Sequence, residues 1–192
     1  MSKTNVAASD QRALPHFRGS MSGSNVQRML KELCDAAERR DGKAFASHFA
    51  PDGVYHDDFY GDFVGRERIA ELIDHWFYKD AGGLRWDMID PVSDGRRLYV
   101  RYVFSYNSTL PEANGARAMF EGVSIMSLND GGQITKYREI INCGTAFVDM
   151  HFHPERIAKI FLRKAAAMKA MPEVRRHLAD AAQADGSATA LT

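Results

Sequence analysis

Between Gly53 and Gly65 a tyrosine, Tyr55, is followed by His56, Asp57 and Asp58, and then by Phe59, Tyr60 and Phe63. An imidazole and two carboxylates among aromatic rings are the parts of an acid–base site for a small molecule. Side chains alternate along an extended strand, so Tyr55 and Asp57 share one face and His56 and Asp58 the other. Asp57 is therefore the candidate general base. Burial among rings raises a carboxyl's pKa toward neutrality, where a base works well. His56 is the candidate acid if the strand bends at Asp58. The plain alternative is a polar turn with solvated aspartates, since Asp and Gly are ordinary turn residues.

A second set of polar groups lies further along. Glu139 stands between Tyr137 and Ile141 on an apolar strand face, where a carboxylate is costly unless paired or used. Arg101 is its expected partner. The pair either holds two strands together or works on substrate, with Arg101 binding a phenolate or oxyanion and Glu139 exchanging a proton. Glu121 interrupts another apolar strand and competes for that role. Tyr102 and Tyr106 can donate to a substrate oxygen or simply pack. The expected wall is Tyr55, Asp58, Tyr60, Phe63, Tyr102, Phe120, Glu121 and Tyr137, around the catalytic candidates Asp57, His56, Glu139, Arg101 and Tyr106. His151 and His153 form a His-x-His pair near Asp149. Such a pair more often flanks a helix start than binds metal, so no metal is expected.

These groups need elements to hold them. Val26, Met29, Leu30, Leu33, Cys34 and Ala37 follow a helical period, capped by Ser24 or Asn25. A short helix follows near Lys43 to Phe49, and Pro51-Asp52-Gly53 turns the chain into the strand that ends at Asp57. A helix over about Arg66 to Tyr78 buries Ile69, Leu72, Ile73, Trp76 and Phe77, and Gly82-Gly83 closes it. Strands are expected at Leu84–Ile89, Leu98–Tyr106, Ala116–Leu128 and Gln133–Asn142, the last two joined by the Asn129–Gly132 turn. Helices return from Pro154 and from Pro172. Helices first and an antiparallel meander afterwards is an α+β order: a curved sheet wrapped around N-terminal helices as a cone with an open mouth. Residues 1–24 and 185–192 are expected to be disordered tails, 25–150 the cone domain and 151–184 extra helices.

Composition narrows the function. Lys+Arg and Asp+Glu balance at 25 each, so no net field favours nucleic acid or an anionic membrane. No apolar run approaches a membrane span, and the N-terminus lacks a signal-peptide core. Two distant cysteines, Cys34 and Cys143, make no disulfide framework and suggest a reducing, cytoplasmic setting. Zinc spacings and phosphate-cradling glycine loops are absent from the sequence. The exposed sheet and extra helices suggest a homo-oligomer acting on an aromatic small molecule without a cofactor.

The order of elements resembles the nuclear-transport-factor-2-like superfamily, in its SnoaL-like and ketosteroid-isomerase-like branch, over about Val26 to Phe147. Three stretches carry the resemblance: Val26-Gln27-Arg28, the turn and strand from Phe49 to Asp57, and the hairpin from Asn129 to Glu139. The resemblance implies the cone fold and hosts many reactions. The isomerase general base falls on Asp57, but its oxyanion tyrosine falls on Met29 and its protonated aspartate near Ser124. A steroid double-bond shift is thus not implied. The water-activating carboxylate of limonene-epoxide-hydrolase-like members matches Glu139, while their Arg and second Asp meet only Val103 and Ser105. The aromatic lining is similar to that of the diarylpropane γ-formaldehyde lyases, cofactor-free members active in lignin and aromatic-compound catabolism. They turn a 1,2-diaryl-1,3-propanediol into a stilbene with loss of formaldehyde and water. The resemblance also leaves open a dehydratase, isomerase, cyclase or epoxide hydrolase on a polyketide- or terpenoid-like substrate, or a non-catalytic ligand-binding or assembly domain.

Overall fold

The computed structural model describes residues 23–189. Of the expected tails, 1–22 and 190–192 lie outside the described residues. The last helix, however, continues past Asp185. Helix α1 (Gly23–Glu38) buries the apolar stripe read from its period, from Val26 to Ala37. Asp41 then caps α2 (Gly42–Ser47), accepting from the Ala44 amide at 2.9 Å, which satisfies one orphan donor of the first turn.

The chain next enters β1 (Phe49–Asp57) and folds straight back as β2 (Gly61–Val64). The glycine-bounded stretch after Asp57 carries no strand alternation that would announce a second strand. It forms a hairpin that sets Phe63 opposite Tyr55 and Gly61 opposite Asp57. Gly61 takes φ +85° there, a conformation that glycine adopts without strain. Helix α3 (Arg66–Glu71) continues into a π-helical turn at Leu72–Trp76, closed by the Phe77 amide on the Leu72 carbonyl at 3.0 Å.

Four long strands follow: β3 (Ala81–Ser93), β4 (Arg97–Ser108), β5 (Arg117–Leu128) and β6 (Ile134–Asn142). Gly82-Gly83 does not close the helix as expected but lies inside β3, beside a register shift toward Arg85. The sheet runs β2-β1-β6-β5-β4-β3 and curves, unclosed, around α1–α3. It is antiparallel except at one joint: β1 and β6 run parallel, with Tyr55 beside Tyr137. That joint arises because the chain completes α3 and the meander before β6 returns to β1. Three helices end the described chain: α4 (Gly144–Asp149), α5 (Pro154–Ala170) and α6 (Pro172–Thr189). His153 caps α5 through its ring nitrogen. Its pair with His151 is a helix-start feature, and among the described residues no cluster of three or more metal-ligating side chains forms.

One apolar core fills the cone between α1–α3 and the inner sheet face. A smaller cluster under α4 joins Ala118, Phe147, Met150 and Phe152. The mouth between the two clusters is where the polar inner-face residues gather.

Candidate active site

A cavity enclosing about 640 Å³ of empty space, counting its open mouth, lies between β1, the π turn and the inner face of β3–β6. Seven of the expected residues line it: Tyr55, Asp57, Tyr60, Tyr102, Tyr106, Phe120 and Glu139.

Asp57 closes β1 with its side chain inward and is only 4% exposed. Its Oδ1 accepts the amides of Phe59 at 2.8 Å and Tyr60 at 2.9 Å. Burial raises its pKa. The two amides, and the nearby His56 and Lys164, oppose that rise without cancelling it. These hydrogen bonds favour the ionised form and use one carboxyl oxygen, leaving Oδ2 outside the turn.

Glu139 comes from β6. Its Oε2 accepts from the Tyr102 hydroxyl at 2.9 Å. One flank faces the cavity, so the residue keeps partial exposure, while protein surrounds the carboxyl elsewhere. Burial, and then the charge of Asp57, push its pKa up to about 8. Burial thus pushes Glu139 toward its protonated form, while the turn amides stabilise the Asp57 carboxylate against the same effect. Tyr102 is pushed far above its ordinary range by burial and by Glu139, so it remains a donor. Tyr106 is raised to about 12 by burial, and its hydroxyl makes a weak contact to Met150 Sδ at 3.6 Å.

The other expected site residues lie elsewhere. His56 points to the opposite face and pairs with Asp62 at 2.5 Å. β1 pairs with β2 in unbroken register from Val54 to Asp57, so strand alternation keeps His56 out. Asp58 also turns away and forms an ion pair with Lys164. Arg101 is on the outer face of β4, about half exposed, with Glu121 of β5 at 3.7 Å. The expected Arg101–Glu139 pair does not form, because the two residues sit on opposite faces of the sheet. Phe63 packs in the core against Trp76, and Arg68 lies over its ring. Tyr137 is fully buried beneath the floor, hydrogen-bonded to Ser124 at 2.6 Å and stacked on Tyr55 at 4.2 Å. Such a stack contributes about 1 kcal/mol beyond burial and fixes the Tyr55 ring.

Sequence reading missed the rest of the wall. Trp76 and Phe77 are consecutive, yet both line the cavity, because the wider π turn places neighbouring side chains on one side. Trp86 and Phe104, from β3 and β4, meet edge to face at 5.5 Å, and Phe104 stacks on Phe120 at 5.1 Å. The indole N–H groups of Trp76 and Trp86 are buried without an acceptor, a cost carried by the cavity wall. Phe59, Ala81 and Ile141 complete the apolar lining, and Asp80 stands exposed at the mouth. Asp80's charge bears on the Tyr60 and Tyr106 hydroxyls. Gly122 of β5 was also missed. A Cβ there would lie 2.6 Å from the Tyr102 hydroxyl and 2.5 Å from the Ile140 carbonyl. Only glycine lets Tyr102 lie flat across β5 to reach Glu139. A glycine inside a strand was the available signal.

Residues 30–137 match the SnoaL-like domain family, more than half of the chain. The chain belongs to that family. No curated protein matches the sequence significantly. Among solved structures, TsrD from Streptomyces laurentii superposes with a TM-score of 0.58 at 16% identity, over 68% of this chain and 98% of that one. A protein with a ketosteroid-isomerase-like fold from Catenulispora acidiphila, in complex with trimethylamine, gives 0.58 at 15%, over 66% and 95%. An epoxide hydrolase of M. tuberculosis resembling limonene epoxide hydrolase gives 0.52 at 16%, over 68% and 92%. These likenesses establish the cone fold. The family match ends at residue 137, before the three C-terminal helices. No helix among the described residues is long and apolar enough to cross a membrane.

Proposed function

We propose that this SnoaL-like chain is an acid–base lyase needing no cofactor, acting on a hydroxylated aromatic molecule. In its specific form it deformylates a 1,2-diarylpropane-1,3-diol to a stilbene. The observation that carries the reading is the pair of carboxyls, Asp57 held by two turn amides and Glu139 by the Tyr102 hydroxyl, facing one cavity walled by aromatic rings.

The chemistry follows from that pairing. Ionised Asp57 takes the proton of the terminal hydroxyl. The alkoxide oxygen forms its carbonyl bond as the adjacent carbon–carbon bond breaks, releasing formaldehyde. The electron pair of the broken bond forms the alkene and expels the benzylic hydroxyl, which leaves as water with the proton of Glu139. Atoms and electrons balance without any oxidant or reductant. A proton then returns from Asp57 to Glu139 and resets the pair. Tyr102 holds Glu139 in place, and the rings of Phe104, Phe120, Trp76 and Trp86 give two aryl groups flat surfaces to pack on.

The cavity lining contains three carboxyl residues, Asp57, Asp80 and Glu139, and no Lys, Arg or His. This favours a neutral substrate, as a phenolic diol is. The test mixes chelator-treated protein with a phenolic 1,2-diarylpropane-1,3-diol and follows stilbene absorbance and formaldehyde together. Equal appearance of both is the expected result. If folded protein yields neither, the lyase reading fails, and epoxides and hydroxylated polyketides become the next substrates to try.

A further inference from the structure

Asp57 is held by a turn, and the turn is held from outside the family domain. The amides of Phe59 and Tyr60 both donate to Asp57 Oδ1. On the opposite side of that turn, Lys164 of α5 forms an ion pair with Asp58, and its ammonium lies 4.7 Å from the centre of the Phe59 ring. Phe59 also meets Phe147 of α4 edge to face at 6.3 Å, and Phe161 of α5 meets the same Phe147 ring at 6.0 Å. One turn of α5 is thus seated on α4 by Phe161 and reaches the catalytic turn through Lys164. The Lys164 side chain is 21% exposed. A lysine gives up that much water only for a partner.

We propose that Lys164 is a positioning residue for Asp57, pinning the Asp58–Tyr60 turn whose amides orient the carboxylate. Helix α5 (Pro154–Ala170) is then part of the site, although it lies beyond the residues that match the family. An ammonium bridging Asp58 and the Phe59 ring restrains the two residues that follow Asp57, and the cation–ring contact gains strength where water is partly excluded. The charged and titratable groups near Asp57 are Tyr55 of β1, Tyr60 of the turn, Tyr102 of β4, Glu139 of β6 and Lys164 of α5, with His56 and Asp58 beside it in the chain but directed away. Among these, His56 and Lys164 favour the ionised carboxylate. Burial in turn draws the Lys164 pKa down, while Asp57 draws it up.

The test uses the full-length protein and two readouts that need no substrate. Carboxyl ¹³C NMR of aspartate-labelled protein follows the Asp57 titration, assigned with Asp57→Asn. Amide hydrogen exchange follows Phe59 and Tyr60. Lys164→Met is expected to move the Asp57 midpoint up by at least about 0.5 on the pH scale, through loss of a nearby cation. It should also speed exchange at both amides about tenfold or more. Lys164→Arg, which keeps charge and reach, should restore both. If Lys164→Met leaves midpoint and exchange at wild-type values, the proposal is overturned. Should that variant not fold, Asp58→Asn releases the same contact from the other side. Faster Phe59 and Tyr60 exchange then supports the proposal, and unchanged exchange overturns it. The role as a base rests on the lyase reading, and there Lys164→Met should lower kcat about fivefold or more with little change in KM. A wild-type protein that does not turn over the diol, but whose NMR and exchange respond as stated, sinks the lyase reading and leaves the positioning role standing.

Discussion

The two faces of the sheet carry similar residues with opposite fates. On the inner face, Asp57, Tyr102 and Glu139 border an aromatic cavity and are withdrawn from water. On the outer face, His56 pairs with Asp62, and Arg101 with Glu121, in solvent. The outer pairs are about half exposed and contribute ~0–1 kcal/mol each. The inner carboxyls cost free energy to bury and are held by a turn and a tyrosine. Residue type therefore says little about chemistry here, and the parity of strand position says most of it.

The largest contrast is expected in turnover. Asp57→Asn and Glu139→Gln should each lower kcat by at least ~100-fold, the usual worth of a positioned acid or base. Arg101→Gln, Glu121→Gln and His56→Gln should stay within about twofold, because surface substitutions away from the site have small effects. Steady-state kinetics of the five variants checks both halves. An outer variant as damaged as Asp57→Asn would break the distinction. The pH dependence sharpens it. On the proposed lyase mechanism Asp57 is the base and Glu139 the acid, so kcat/KM should fall as pH rises through about 8, where Glu139 loses its proton.

Gly122→Ala comes next. The added methyl group has no room beside the Tyr102 hydroxyl and the Ile140 carbonyl. The Ile140 side is backbone, so Tyr102 must move and release Glu139. A tenfold or greater loss of kcat is expected, with the alkaline limb of the pH profile displaced. Gly122→Ser should do no better, whereas Gly23→Ala, where a Cβ meets nothing within 4 Å, should leave kcat unchanged.

How much of this could be read beforehand follows from the same parity. The helical stripe of α1, the alternation of β4 and β6, and the inward placing of Asp57 and Glu139 all come from periods visible in the sequence. Arg101 was misplaced because charge complementarity with Glu139 was allowed to override the alternation that put it on the other face. Trp76 and Phe77 read as the buried side of a helix, and nothing singles out Trp86 or Phe104, since rings at helical or strand spacing look the same whether they pack on protein or line a cavity. The π turn and the shifts in β3 that set them around an opening leave no local signature. The parallel β1–β6 joint is a long-range pairing, which local patterns cannot reveal. Lys164 falls on the helical stripe of Ile157, Ile160 and Phe161, and its contact with Asp58 is not legible there, because its partners stand about a hundred residues earlier.

A smaller effect is expected in stability. A carboxyl whose pKa is raised on folding keeps its proton in the folded state while the unfolded chain has lost it. Between the ordinary glutamate value of 4.5 and about 8, the folded state thus binds more protons, and stability falls as pH rises. For Glu139 the loss across that window is on the order of 3 kcal/mol, reduced from the full shift because water in the cavity screens the charge. Urea unfolding at pH 5 and pH 8 should show wild type losing more stability than Glu139→Gln. Glu121→Gln, on the outer face, should track wild type.

The smallest effect is expected at the rim, where the two faces meet solvent. Asp80 is exposed at the mouth, near Tyr60 and Tyr106. A carboxylated aromatic substrate would bring a second negative charge past it, toward Asp57 and Glu139. At an exposed position, like-charge repulsion is partly screened. Asp80→Asn should therefore raise kcat/KM for a carboxylated diarylpropanediol only about two- to fivefold and leave the neutral diol unchanged. The gain should fade as salt is raised, because the Debye length shrinks to about 3 Å at 1 M. Asp57→Asn cannot imitate it, since it removes the base along with the charge. A salt-independent gain, or an equal gain for both substrates, would mean that Asp80 acts through the shape of the mouth. The rim would then belong with the packed inner wall and not with the solvated outer face.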